Sequence, residues 1–418
     1  MTDRLRLACL CVPILALQTT QSFAADDTGR QPKDDDSAVD IAAAKRADTP
    51  SQRSGWTFKP RGRINIDAGF VDAPDDVGAQ DGLGFEIRRA RLGASGDIPG
   101  GFGYKAELEF AGGDTILTDA ILTYDIGALT LTAGQHNNFQ SLTELTSSLY
   151  SSFIERAAFT DAFGFIRRVG LSAEYQADAL LLQGGVFKAN IEDFPSDDWS
   201  VDGRIVYAPK MGGTQFHLGS SVHYRELNPD SLGDETVRYR QRPLVHFTDT
   251  RFINTDRIAA DSEFGLGLEA AVIAGPLHVS AEVFRQAVGR GGAVTAGDPT
   301  FFGGFVEAGY FLTKGDSRGY KNGKFDRVTP KHPIGANGGG GGAVQVNARY
   351  DYLDLNDAGV VGGKQNSYQL SIIWATTDRT RLMLNYARLD YDDAVFPRAD
   401  GSTSYGVDAV GMRAQMDF

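Results

Sequence analysis

The final stretch Val410-Gly411-Met412-Arg413-Ala414-Gln415-Met416-Asp417-Phe418 decides the fold. In an extended chain Val410, Met412, Ala414, Met416 and Phe418 share one face, and Gly411, Arg413, Gln415 and Asp417 the other, because strand side chains alternate with period two. One face suits lipid and the other suits water. The same pattern recurs upstream: Phe216, Leu218, Val222 and Tyr224 oppose Gln215, His217, Ser221 and His223, while Leu129, Leu131 and Ala133 oppose Thr130, Thr132 and Gly134. Alternating segments of about ten residues, bounded by turn residues, are the mark of a transmembrane β-barrel. A strand ending the chain on Phe is also characteristic of outer-membrane barrels.

Counting such segments predicts strands over 61–71, 84–96, 102–112, 115–126, 128–135, 165–176, 179–188, 200–209, 214–225, 261–274, 277–287, 301–312, 343–353, 366–376, 379–390 and 404–418. The fold class is therefore all-β, a 16-stranded antiparallel transmembrane β-barrel. A barrel of about sixteen strands encloses an aqueous channel, whereas about eight are filled by side chains. With the C terminus in the periplasm, Ile98-Pro99-Gly100-Gly101, Gly127-Ala128, Ala177-Asp178, Gly275-Pro276 and Thr376-Thr377-Asp378 become short periplasmic turns, as such barrels prefer. The Gly-rich stretch 313–342 then has to be an unusually long periplasmic connection. Either it folds back into the lumen or the count is off by two.

The chain ends agree with export. Arg4 and Arg6, an apolar run from Leu7 to Leu17 and then Ser22-Phe23-Ala24 read as a signal peptide over 1–24. That run is too short to cross a bilayer, and no stretch of ~18 apolar residues follows, which excludes a helical membrane protein. Both cysteines, Cys9 and Cys11, lie in the signal, leaving the mature chain no thiol for disulfide, metal or nucleophilic chemistry. Residues 25–55 carry mixed charge and almost no large apolar side chains, and are expected to be a disordered tether before a barrel over 56–418. A formal net charge of −13 argues against nucleic acid as a partner, though it leaves open a basic strip inside a lumen. No Gly-x-Ser-x-Gly, His-Glu-x-x-His or Walker loop occurs, and the six histidines show no ligand spacing, so neither enzyme chemistry nor a cofactor nor a metal is expected. Asp351 and Asp354, like Asp390, Asp392 and Asp393, are expected near strand ends on the exposed side.

The segment from His136 to Gly164 is too apolar for a solvated loop, with Phe139, Leu142, Leu145, Leu149, Tyr150, Phe153, Ile154 and Phe159. It is expected to fold inward and narrow the pore. A second long irregular segment runs from Glu226 to Ala260.

Around that loop the chain resembles the phosphate-selective porin O and P family. The residues are Gly134-Gln135, then Leu142-Thr143-Glu144-Leu145-Thr146-Ser147-Ser148, Phe153-Ile154-Glu155-Arg156-Ala157 and Ala162-Phe163-Gly164. Gly62-Arg63-Ile64-Asn65-Ile66-Asp67, Arg88-Arg89-Ala90-Arg91-Leu92-Gly93, Arg238-Tyr239-Arg240-Gln241-Arg242-Pro243, Phe311-Leu312-Thr313 and Arg349-Tyr350 follow the family order as well. The resemblance implies an outer-membrane porin, surrounded by outer-membrane lipid and usually a homotrimer, with an inward third loop and a ladder of arginines for small anions such as phosphate. One departure bears on selectivity. Where the family suggests a Lys-Pro-Phe-like stretch after Gly-Gln, this chain has His136-Asn137-Asn138-Phe139, and its third loop sets Glu144, Glu155 and Asp161 against Arg156 alone.

The candidate ion-binding residues are arginines. Arg238, Arg240 and Arg242 recur every second residue, so an extended backbone aims all three one way; permanently charged forks in a row can pass an anion along. The alternative is a solvated loop edge. Arg63 shares a face with Arg61 and Asn65, opposite Ile64 and Ile66, and is expected in the lumen. The pleat cannot send adjacent Arg88 and Arg89 to one side, so one of the pair is expected to snorkel or lie near an interface. Arg156 either supplies the cation of the constriction or pairs with a loop acid and holds the loop. Two functions remain open: a passive pore with anion preference, and a structural or adhesive barrel occluded by its loops.

Overall fold

The computed structural model describes residues 55–228, 236–291, 296–335 and 339–418; the expected signal peptide and tether lie outside the described residues. Sixteen barrel strands form among the described residues. They are β1 (Lys59–Asp72), β2 (Gly82–Ile98), β3 (Phe102–Glu109), β4 (Ile116–Ile126), β5 (Leu129–Asn137), β6 (Arg167–Ala177), β7 (Leu180–Phe187) and β8 (Trp199–Tyr207). Then follow β9 (Thr214–Glu226), β10 (Ser262–Ala274), β11 (Leu277–Gly289), β12 (Thr300–Phe311), β13 (Ala343–Asp357), β14 (Val360–Ala375), β15 (Thr380–Asp392) and β16 (Tyr405–Asp417). Each pairs antiparallel with its sequence neighbour, and β1 closes the ring on β16 with Asp67 opposite Arg413 and Arg63 opposite Asp417. Closure leaves no sheet edge in the membrane, where an unpaired backbone group is costly. The count of sixteen holds. The boundaries move most at β14, which begins six residues before its predicted start at 366.

The C-terminal strand shows the two-faced logic. Met412, Met416 and Phe418 are 52%, 45% and 53% exposed toward lipid, while Arg413, Gln415 and Asp417 are almost fully covered. The polar row is the more buried one because loops fill the lumen. The third loop, between β5 and β6, does fold inward, with short helices at Leu142–Leu145 and Ala158–Ala162. Its Phe159 and Phe163 join Phe284, Phe301 and Phe305 of β11 and β12 in an aromatic cluster. The segment between β9 and β10 also turns inward and adds Val237, Tyr239, Leu244 and Val245 to that cluster.

The long connection between β12 and β13 folds back into the lumen, so the strand count needs no revision. It forms a small hairpin, Gly319–Lys321 against Lys324–Asp326. Phe325 packs with Leu142 of the third loop and Ala271 and Ile273 of β10. At the hairpin tip Gly323 has φ +70°, and a Cβ there would stand 2.5 Å from Leu181, so only glycine lets the tip lie against the wall. Arg204 donates to the Gly323 carbonyl (2.7 Å), and the Tyr320 hydroxyl meets His217 Nδ1 at 2.6 Å.

Candidate functional site

Strand side chains fasten the third loop to one half of the barrel. The Glu282 carboxyl group accepts from Leu142 N, Thr143 N and Ser141 Oγ at 2.7–2.9 Å, so the first loop helix begins on a fixed acceptor. Asp351 accepts from Ala158 N (2.8 Å) at the start of the second. Asp351 is fully buried, which corrects the expectation that it sits on the exposed side; the inward loop needed an acceptor there. Arg381 donates to the Ser148 and Ser151 carbonyls, Arg318 to Tyr150 O and Ser152 Oγ, and Arg413 to Ile154 O. Arg349 lies 4.1 Å over the Phe153 ring.

With that half filled, open space runs along the opposite wall. A cavity of about 690 Å³ is lined on its strand side by residues of β1 to β8 and, on the other side, by the third loop, the β9–β10 segment and the hairpin. Its lining extends from Arg242 and His246 at the extracellular end to Thr130, Glu174 and Lys324 near the periplasmic turns. Eleven Lys and Arg side chains line it against eight Asp and Glu. A chain that is −13 in total thus encloses a cavity with a cationic excess.

Most of those cations are paired. Arg63 faces the lumen and meets Ser148 Oγ (3.3 Å) and Glu107 (3.5 Å). Arg91 binds Glu107 and Glu109, Lys105 and Arg167 share Asp119, and Arg204 binds Glu269. Arg88 binds Glu155 at 3.1 Å. Within the third loop, burial pushes the Glu155 carboxyl up, but the Arg88 and Arg413 guanidiniums outweigh it and hold the acid well below the usual carboxylate range. Arg156 spends its donors on the Thr143, Glu144 and Thr146 carbonyls and stands 3.5 Å from the Glu144 carboxylate. It both holds the loop and lines the cavity.

Arg88 and Arg89 overturn the expectation from the pleat. Asn65 pairs with Arg89 and the next residue, Ile66, pairs with Ile87, so Arg88 is the extra residue of a β-bulge. The bulge breaks the alternation and lets both arginines line the cavity, and neither snorkels. Among the described residues Arg89 donates no hydrogen bond and has no carboxylate partner; its Nε is buried and unsatisfied. Arg63, Arg88, Arg91 and Arg156 surround it.

Arg238, Arg240 and Arg242 share one face of the β9–β10 segment, opposite buried Val237, Tyr239 and Gln241. Arg242 alone of the three lines the cavity, held by Thr248 O (3.0 Å) and Asp249 (3.1 Å). Arg238 leans on Asn254 Oδ1, and Arg240 is exposed without a partner among the described residues. Arg91, of the same motif as Arg88 and Arg89, also lines the cavity, and so do Lys105, Arg167, Arg204, Lys321 and Lys324, which no motif singled out. In the hairpin, burial lowers the Lys324 ammonium to about 8 despite Glu174 nearby. Among the described residues no group of His, Cys, Asp and Glu is placed to hold a metal ion.

Comparison with known proteins extends the geometry. An uncharacterized protein of Caulobacter vibrioides is 48% identical over 376 residues, covering 87% of this chain and 74% of that one. An anion-selective porin from Comamonas acidovorans shares the fold at TM-score 0.55 and 14% identity, covering 87% of this chain and all of the other. The in-vitro folded OmpT of Vibrio cholerae, an outer membrane protein in trimer form, gives TM-score 0.54 at 13% identity over the same shares. The model of the phosphate-selective porin O and P family matches residues 58–418, and with a closed sixteen-strand barrel around a charged cavity the chain belongs to that family of bacterial outer-membrane porins.

Proposed function

We propose that this porin is a passive, non-enzymatic diffusion channel that prefers small anions, phosphate among them, and works as a homotrimer. The observation that carries the preference is Arg89, a guanidinium without a partner among the described residues, ringed by four more arginines at the wall of the cavity. A permanent cation with free donors attracts an anion, and paired neighbours raise the local potential without competing for it. Two of the three acids of the third loop, which argue for the opposite sign, are paired: Glu155 with Arg88 and Arg413, and Glu144 with Arg156. The anion-selective Comamonas porin and the trimeric OmpT are in keeping with this reading, at the level of fold.

Purified protein in a planar bilayer between unequal salt solutions tests it. An anion-selective reversal potential is expected, and phosphate is expected to block chloride current; a cation-selective potential sinks the anion preference, and no block sinks phosphate. Arg89→Gln is expected to cut anion selectivity by roughly tenfold, since one charge at about 8 Å and an effective dielectric of about 20 is worth about 2 kcal/mol before screening. Replacing Arg238, Arg240 and Arg242 together by Ala is expected to have a smaller effect, because only Arg242 lines the cavity.

The occluded barrel is the second reading, favoured by the amount of loop and hairpin in the lumen. A closed channel at zero conductance would support it. The cavity lining from mouth to periplasmic turns speaks for conduction.

A further inference from the structure

Where β1, β2 and β16 meet the third loop and the β9–β10 segment, charges do not balance without a histidine. Three carboxylates gather there: Asp67, Glu86 and Glu155. Two guanidiniums face them. Arg413 binds Asp67 at 2.6 Å and Glu155 at 3.2 Å, and Arg88 binds Glu155 at 3.1 Å. Among the described residues the side chain that pairs with Glu86 is His246, whose Nδ1 lies 2.8 Å from Glu86 Oε2 and which supplies the third positive charge when protonated. Glu86 Oε1 is buried with no hydrogen-bond donor among the described residues, so His246 is the partner on which Glu86 depends. On the same segment Arg242 is engaged with Asp249.

The imidazole is held in place by its neighbours. Phe247 lies over Gly69 and Gly84, where a Cβ would come within 2.7 and 1.9 Å of the ring, so glycines of β1 and β2 form a slot that only an absent side chain allows. Leu244 and Val245 are buried on the other side. His246, Glu86, Arg88 and Glu155 all line the cavity toward its extracellular end.

We infer that His246 is a specificity-determining residue that makes the anion preference of the channel depend on pH. With the imidazole protonated the cluster is neutral, and an anion entering meets the arginines beyond it. With the imidazole neutral the cluster carries one net negative charge at the entrance, which repels anions and weakens the tie to β2. Histidine is the side chain whose charge changes across the neutral range. The inference rests on the anion reading for its direction of effect.

The test is the anion-to-cation permeability ratio of the purified full-length protein in planar bilayers at about pH 5 and about pH 7, where Lys324, its ammonium lowered to about 8, still keeps most of its charge. The ratio is expected to fall by about threefold over that rise in the wild type, one charge being gained at a focusing entrance. His246→Gln is expected to stay flat at the alkaline value. His246→Gln with Glu86→Gln restores charge balance without a titrating group, and is expected to stay flat at the acidic value. His136, the other histidine lining the cavity, serves as control: His136→Gln keeps the fall. A wild-type ratio independent of pH, or a fall that survives in His246→Gln, overturns the inference. The sign of the reversal potential, read in the same records, separately decides the anion preference.

Discussion

Replacing Gly319–Asp326 by two glycines is expected to at least double the single-channel conductance while leaving a folded barrel. Five residues of that hairpin, Lys321, Asn322, Lys324, Phe325 and Asp326, line the cavity toward its periplasmic end. The ladder does not need them, since β12 and β13 pair directly through ten residues from Phe302 to Phe311. The stability cost is the burial of Phe325, about 1.5–3 kcal/mol, with the Arg204 and Tyr320 hydrogen bonds. Arg204 keeps Glu269 at 2.6 Å, so that ion pair survives the deletion. Loss of Phe325 also removes the apolar support under Leu142, and the third loop is expected to give noisier open-channel current. Two cations leave with one acid, so anion selectivity is expected to drop modestly. Unchanged conductance would place the hairpin outside the conducting path.

What alternation could reveal and what it could not is instructive. Strand existence and the side each residue takes follow from a local rule of period two, which the sequence carries in strand after strand between Ile64 and Phe418. The inward path of the third loop was also legible, because Phe153 and Phe159 could not have remained in solvent. The bulge at Arg88 was not. A bulge is set by pairing between strands, here the step from Asn65–Arg89 to Ile66–Ile87, and neither strand shows it alone. For the same reason the acids of the third loop looked unopposed. The counterparts of Glu155, Arg88 and Arg413, lie 67 and 258 residues away along the chain. Asp351 misled in a similar way, since the loop amide that it accepts from, Ala158 N, is 193 residues distant. Selectivity depends on these long-range pairings, because which charges remain free is decided after the others have found partners.

That order of pairing explains how an acidic chain can enclose a cationic path. Inside a barrel, charges sit at low effective dielectric and seek opposite partners first. Most lumenal carboxylates meet a guanidinium, an ammonium or an imidazole, as Glu107 does with Arg63 and Arg91, Asp119 with Lys105 and Arg167, and Glu307 with Arg349, while Glu282 and Asp351 are taken up by amides of the third loop. Once these are matched, Arg89 is left at the cavity wall as a guanidinium without a partner among the described residues.

Arg413→Met is expected to be the most damaging single substitution at the barrel seam. Arg413 is 3% exposed and bidentate to Asp67 across the closing β1–β16 pair (2.7 and 2.6 Å), with further bonds to Glu155 and Ile154 O. Methionine fills much of the volume but leaves Asp67 as a buried carboxylate with no partner among the described residues. Breaking one side of a buried pair in this way costs about 3–5 kcal/mol, while replacing both sides with apolar groups is often near neutral. The barrel is therefore expected to lose its heat-resistant, compact gel mobility at a lower temperature and to unfold at lower urea concentration. Asp67→Leu added to Arg413→Met is expected to recover most of the loss. The double variant still lacks the anchor on Ile154 O, and Glu155 keeps Arg88 alone, so its third loop should remain looser than wild type even when the barrel is restored. Equal destabilisation of the single and double variants would show that loop anchoring, rather than the orphaned charge, sets the stability of the seam.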